Sequence, residues 1–156
     1  MLNFLIIIKS KHWNRRRKRV TKIINQILNK KEYFNFENKH IYNFNFILMN
    51  DLLIKKYNKK YKKNNKPTDV LTFVTSLDKK TNLQEKFCDI MISAETIFKN
   101  AKDLNINFYD HLTHIFVHSL LHVKGYNHKN KKEYLIMKNK EIKILKSLDI
   151  NNPYIN

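Results

Sequence analysis

Glycine occurs once in the 156 residues, at Gly125, and proline twice, at Pro67 and Pro153. That scarcity removes whole classes of chemistry. A dinucleotide-binding G-x-G-x-x-G turn or a Walker-type loop needs several glycines to bring backbone N–H groups close to phosphate. The chain can form neither. Its one cysteine, Cys88, likewise excludes an internal disulfide framework and any Cys-rich zinc ribbon. The length suits a single domain over residues 1–156, and hydrophobic residues make up 42%, enough for a packed core.

Lys and Arg together number 31 against 13 Asp and Glu, a formal net charge of +18. A surface of that sign suits a polyanion such as RNA. The excess is carried by 27 lysines, beside 22 asparagines and 19 isoleucines, with only four arginines. These abundant residues have AT-rich codons, so part of the charge reads as mutational drift. No stretch is long enough to span a membrane: residues 4–8 form the longest wholly apolar run near the N-terminus. The basic cluster of Arg15, Arg16, Arg17, Lys18 and Arg19 follows that run, whereas a signal peptide carries its charge in front. The expectation is a cytoplasmic protein with no membrane partner.

Hydrophobic spacing places the elements. Residues 4–8 read as a short buried strand. Val20, Ile23, Ile24, Ile27 and Leu28 recur at helical spacing, predicting an amphipathic helix over roughly 14–29 with its arginines on a solvated face. Residues 41–49 alternate about Asn43 and Asn45 as a strand, and Asp51 is placed to cap a helix ending near Tyr61. A basic link over 62–66 reaches Pro67. Strands at 70–74 and 90–92 follow, with a loop at 79–84 between them. Ser93 is placed to cap a helix whose Ile97, Ala101 and Leu104 share a face. Helices over 108–123 and 130–147 flank the turn at Gly125. Strands in the first two-thirds and helices in the last third predict an α+β fold.

Five of the seven histidines, His111, His114, His118, His122 and His128, fall within 18 residues. His118 and His122, at i and i+4, project from one helix face a turn apart. Gly125 follows three residues later and His128 three after that, giving H-x3-H-x2-G-x2-H. A rigid helix thus presents two imidazoles, and the chain must reverse to bring up a third. Glycine suits that reversal, because a residue ending a helix often needs φ > 0. Three neutral imidazoles leave a fourth position open, as in catalytic rather than structural zinc sites. A stripe of core histidines explains the cluster less well, since burying four imidazoles without partners is costly. His111 reads as exposed and outside the ligand set, and His114 as a residue supporting it.

The same spacing occurs in metalloproteases of the H-E-x-x-H-x-x-G-x-x-H type, whose glutamate is the general base. Here that position is Ser119, which cannot act as a base at neutral pH. A peptidase is disfavoured.

The stretch His118-Ser-Leu-Leu-His122-Val-Lys-Gly125-Tyr-Asn-His128 resembles the signature H-G-x-L-H-L-x-G-Y-D-H of the YbeY family of bacterial endoribonucleases and rRNA maturation factors. Other segments agree in order. Thr68-Asp69-Val70-Leu71-Thr72-Phe73 is similar to T-D-V-L-S-F, and Cys88-Asp89-Ile90-Met91-Ile92-Ser93 to G-D-I-x-I-S. Asn58-x-x-Tyr61 is similar to N-x-x-Y-R, and Met137, Glu141 and Leu145 to M-x3-E-x3-L. The resemblance spans roughly 41–148. It implies a small mixed sheet with helices packed around a three-histidine helix-turn, and His118, His122 and His128 as ligands of one zinc ion. The implied activity is a single-strand-specific endoribonuclease in 16S rRNA 3′-end maturation and ribosome quality control. Its partners would be single-stranded RNA, small-subunit rRNA and ribosomal particles, with no DNA expected.

Four positions depart from the pattern. Lys62 stands where the family has arginine, keeping charge but losing bidentate phosphate geometry. Asn127 replaces an aspartate beside the third histidine, though it stays placed to support that ligand. Ser119 and Cys88 replace glycines. Zinc on three histidines can lower the pKa of a bound water toward ~7 or polarise a phosphoryl oxygen, and Lys62 is the candidate for the phosphate contact. Asp69 reads as a turn carboxylate, Asp89 as structural at a strand edge, and Cys88 as a buried small hydrophobe. Two alternatives stay open: a non-catalytic, zinc-containing ribosome-assembly factor, and a zinc hydrolase of another substrate class.

Overall fold

The computed structural model describes residues 1–78 and 84–155. Four strands, β1 (Leu2–Ile8), β2 (His40–Met49), β3 (Val70–Asp78) and β4 (Gln84–Ser93), form one sheet in the order β1-β2-β4-β3. β1 and β4 both run parallel to β2, while β3 pairs antiparallel with β4 and forms an edge. The sheet is therefore mixed, as the fold class requires. Around it pack α1 (Arg17–Leu28), a one-turn α2 (Lys31–Phe34), α3 (Asp51–Lys62), α4 (Ala94–Asp103), α5 (Phe108–Val123) and α6 (Lys131–Ser147).

Strict alternation in β2 explains how the layers sort. Tyr42, Phe44, Phe46 and Leu48 are all buried in the main core with α1, α5 and α6. The intervening Asn43 and Asn45 lie on the other face, where their amides donate to Glu85 and Asp89, each at 2.8 Å. Ile47 and Met49 on that second face join Ile54, Leu71 and Met91 in a smaller cluster beneath α3. A one-residue slip would reverse both sets. Phe46 meets Phe116 edge-on at 5.2 Å and so couples sheet to α5. α5 carries buried residues around most of its circumference, including Leu112, Ile115, Phe116, Leu120 and Val123. A helix apolar nearly all round is a central one, and this one carries the first two motif histidines.

Several local expectations are corrected. The helix predicted over 14–29 begins as a 3-10 turn, Lys11–Arg16, before α1. Asn50, not Asp51, caps α3, its side chain accepting from Leu53 N–H at 3.0 Å. Asp51 instead accepts hydroxyl hydrogen bonds from Ser93 at 2.6 Å and Thr96 at 2.5 Å, pinning α3 to the β4–α4 junction. Ser93 therefore occupies the N-cap position of α4 without a side-chain cap bond. β3 runs on to Asp78 rather than stopping at Val74, because it pairs with β4 along its whole length. Residues 79–83 of the expected loop lie outside the described residues, and Gln84 belongs to β4. Leu104 leaves the apolar face of α4 at its C-cap and is 47% exposed. Asp89 sits inside the sheet, since β4 is an inner strand.

His111, expected at the surface, is buried at 4% exposure. Neither ring nitrogen has a hydrogen-bond partner among the described residues. Burial first, then the nearby His114, pushes its pKa down to about 4. Unfolded, the same imidazole titrates near 6.5. Between these values the unfolded chain binds a proton the native one does not, so native stability falls as pH drops from about 6.5 to about 4. The total loss from this one group is roughly 3 kcal/mol. Urea unfolding of metal-free protein at pH 7 and pH 4.5 should show His111→Phe losing less stability on acidification than the unaltered chain; equal losses would refute the role given to His111.

Candidate metal centre

The C-terminus of α5 builds the site. Tyr126 N–H bonds to Leu121 O at 3.0 Å and Gly125 N–H to His122 O at 2.9 Å. These nested bonds are the Schellman arrangement, which needs a left-handed residue at the first position past the cap. Gly125 occupies it with φ of 91°. No neighbouring atom would crowd an added Cβ there, so the glycine is required for backbone conformation alone. Helix α6 then starts at once: Asn130 Oδ1 accepts from Glu133 N–H at 2.9 Å, and Glu133 accepts from Lys129 N–H at 3.1 Å. Between those two locks lies His128.

The reversal brings the three predicted ligands together. His118 and His122 present their Nε2 atoms to each other at 3.0 Å. The His128 ring centre lies 5.5 Å from that of His118 and 5.0 Å from that of His122. One ring nitrogen from each falls within 4.8 Å of the others, a grouping that can hold a metal ion. Burial, with His118 and His128 alongside, pushes the His122 pKa down to about 4. Its imidazole is neutral at physiological pH, the form that ligates metal.

Behind His118 stands Glu141 of α6, only 1% exposed. His118 Nδ1–H donates to Glu141 Oε1 at 2.5 Å, and His114 Nε2–H donates to Oε2 at 2.8 Å. The Tyr154 hydroxyl, from the segment after α6, also donates to Oε2. Burial alone would raise the pKa of this carboxyl, but the hydrogen bonds from His114, His118 and Tyr154 outweigh it and hold it at about 2. An ionised Glu141 therefore fixes the His118 tautomer and leaves Nε2 with its lone pair toward the other histidines. The role of Glu141 is not apparent from the family resemblance alone, although a lone carboxylate between Met137 and Leu145 on a buried stripe is a readable signal. Tyr154 left no such signal, because only the folded tail brings it back to α6.

Lys62, the last residue of α3, lines a cleft of about 590 Å³ together with His118, His122, His128, Asp69 and Thr72. Asn127 also lines it, but its amide donates to Gly125 O at 3.4 Å rather than to an imidazole. His114 stands one carboxylate away from His118. Asp69 accepts from Val70 N–H at 2.8 Å and from the Thr68 hydroxyl at 3.2 Å, a turn carboxylate as read from sequence. Ser119 is buried, with its hydroxyl donating to Ile115 O at 2.9 Å. Cys88 is fully buried, and burial pushes its thiol up to about 12.

The chain is similar to proteins of one family. The family model described as endoribonuclease YbeY matches residues 6–149. A protein of Ehrlichia chaffeensis named endoribonuclease YbeY is 40% identical over 112 residues, which cover 70% of this chain and 69% of that one. One of Francisella philomiragia with the same name is 38% identical over 116 residues, 71% of this chain and 72% of its own. A solution structure of a Thermotoga maritima protein matches the whole chain and 97% of its own, with a TM-score of 0.57 at 21% identity, a likeness of fold. Motif, fold and relatives converge: the chain belongs to the endoribonuclease YbeY family.

Proposed function

We propose that this chain is a zinc-dependent endoribonuclease that cuts single-stranded RNA. Its place would be 3′-end maturation of 16S rRNA and quality control of ribosomal particles in the cytoplasm, with residues 1–156 acting as one domain. The observation that carries the reading is the set of three imidazoles, one of them anchored by buried Glu141, at the floor of a cleft that also holds Lys62. Family membership supports RNA cleavage as the reaction.

The donors suit zinc. All three are imidazole nitrogens, no thiolate is near, and a carboxylate backs one ring, the pattern of a three-ligand site with an open position. Bound there by His118, His122 and His128, zinc supplies a Lewis acid that polarises a phosphoryl oxygen or lowers the pKa of water toward ~7. The chain's own residues do the rest. Glu141 orients His118 and, being ionised and engaged on the side away from the cleft ligands, is not a free general base. Lys62 brings a positive charge to the cleft, where it can neutralise a scissile phosphate. His114 and Tyr154 keep Glu141 in place, and Gly125 sets the reversal that delivers His128. Asn127 supports the same turn through the Gly125 carbonyl. Ser119, buried and bonded to its own helix, gives a peptidase no base.

Metal analysis paired with a single-stranded RNA cleavage assay on one purified sample tests the proposal. The expected result is one zinc per chain with cleavage, both lost in His118→Ala/His122→Ala while RNA binding largely survives. Cleavage by a folded, metal-free double variant would sink it. Full zinc with no cleavage would favour the non-catalytic assembly factor instead.

Two further variants probe the supports. Glu141→Gln should weaken zinc affinity by about 10- to 100-fold in competition with a chromophoric chelator, as for other carboxylates behind metal-bound histidines. An unchanged affinity would remove Glu141 from the site. Gly125→Ala forces an L-residue to positive φ at a cost of about 1–2 kcal/mol. It should lower the thermal midpoint and weaken zinc binding together, whereas Ser119→Gly should leave zinc affinity near its native value.

A further inference from the structure

A stack of aromatic rings stands beside the metal cleft, and the chemistry described so far does not use it. Tyr57 and Tyr61, one turn apart on α3, lie 6.3 Å apart with their planes at 10°. Tyr61 also meets Phe73 of β3 at 5.1 Å. Tyr57 and Phe73 pack against the small core cluster beneath α3, so the stack is anchored from below. Tyr61 remains 51% exposed. The Lys60 ammonium lies 5.1 Å from the centre of the Tyr61 ring, and that of Lys62 lies 5.9 Å from the centre of Phe73. Between Asp51 and Asp69 the chain has no acid, but Lys59, Lys60, Lys62, Lys63 and Lys66 are all there.

Lys62 joins the two regions, because the same side chain lines the cleft with His118, His122 and His128. Asn58 fixes the geometry of this corner. It is 5% exposed, and its amide donates to Lys66 O at 2.8 Å, holding the link between α3 and β3. The result is an exposed aromatic face, cations around it, and a continuous path to the candidate metal ligands.

A ligand matched to that surface needs negative charges at intervals and flat rings free to stack. Single-stranded RNA has both, whereas a duplex keeps its bases stacked on one another and unavailable. An acidic protein segment would meet the lysines but leave the ring face without a partner of its own shape. We propose that Tyr61, backed by Tyr57 and Phe73, is a nucleobase-stacking subsite for an unpaired base of the RNA substrate. Lys62 then engages the phosphate leading from that base into the cleft. The subsite rests on the endoribonuclease reading and adds to it a physical source of preference for single strands.

The test is single-turnover cleavage of a short single-stranded RNA by zinc-loaded protein, with enzyme concentration varied to give a half-saturation value and a limiting rate. Tyr61 is half exposed, so Tyr61→Ala should fold, and its zinc content and thermal midpoint check that directly. Its half-saturation value should rise about tenfold, the loss expected for one base–aromatic stack, with a smaller change in limiting rate. Tyr61→Phe should stay within twofold of the native value. An RNA with 2-aminopurine at the bound position should lose fluorescence on the native protein and Tyr61→Phe, but not on Tyr61→Ala. A zinc-loaded Tyr61→Ala with native half-saturation and native quenching would overturn the subsite, assign the ring stack to a protein-facing surface, and leave the endoribonuclease reading standing. A native holoprotein that neither binds nor cleaves the RNA would overturn that reading and the subsite with it.

Discussion

A single buried carboxylate holds the working parts of this protein in register. Glu141 is 1% exposed yet ionised. An isolated charge in that position would cost several kcal/mol, so the fold must supply donors. It does so with three donors from two segments: His114 and His118, one turn apart on α5, and Tyr154 beyond α6. Satisfying Glu141 therefore docks α6 on α5, folds the tail back over both, and sets the tautomer of the first candidate ligand. The requirement of a buried anion for partners and the requirement of a metal for an oriented imidazole are met by the same hydrogen bond.

The parts of this design that are local were legible in the residues, and the parts that are not local were missed. The helices expected over 108–123 and 130–147 follow from apolar spacing, and the structure adds the Asn107 and Asn130 caps, which act within one turn of chain. The Gly125 reversal is equally local, since the hydrogen bonds that define it span five residues. Asp51 shows the opposite case. Its position at a helix start suggested a cap, but Asn50 does that work and Asp51 reaches 42 residues along the chain to Ser93. His111 reads from sequence as exposed, but the central position of α5 buries it. On a helix buried around most of its circumference periodicity leaves little room for error: beyond Tyr109 only the narrow stripe of Asp110, His114, His118 and His122 is open, and His111 lies off it.

The two positions where a family glycine is replaced show how the fold absorbs added volume. Ser119 lies on the buried face of α5, where its hydroxyl bonds back to Ile115 O and leaves no orphaned polar atom. Cys88 sits fully buried in β4, opposite Phe44 of β2 and Val74 of β3, as a small apolar group whose thiol stays protonated. Both substitutions are small, and neither enters the metal cleft. The glycine that survives is the one whose φ no other residue adopts cheaply.

The surplus of positive charge looks different once its placement is known. Many of the cations lie over aromatic rings: Arg16 over Phe108, Arg19 over Tyr109, Lys124 over Tyr42 and Lys140 over Tyr126. There the long stems cover apolar surface while the charge stays near water. Such a surface tolerates drift toward lysine without loss of the core. In a body of net charge +18, burial and its two histidine neighbours oppose protonation of His122. Keeping the rings neutral is what a metal site needs. The field of that charge draws a polyanion toward the cleft. A composition that on its own says little about function thus becomes, around one anchored carboxylate and three clustered histidines, a setting that favours metal and RNA together.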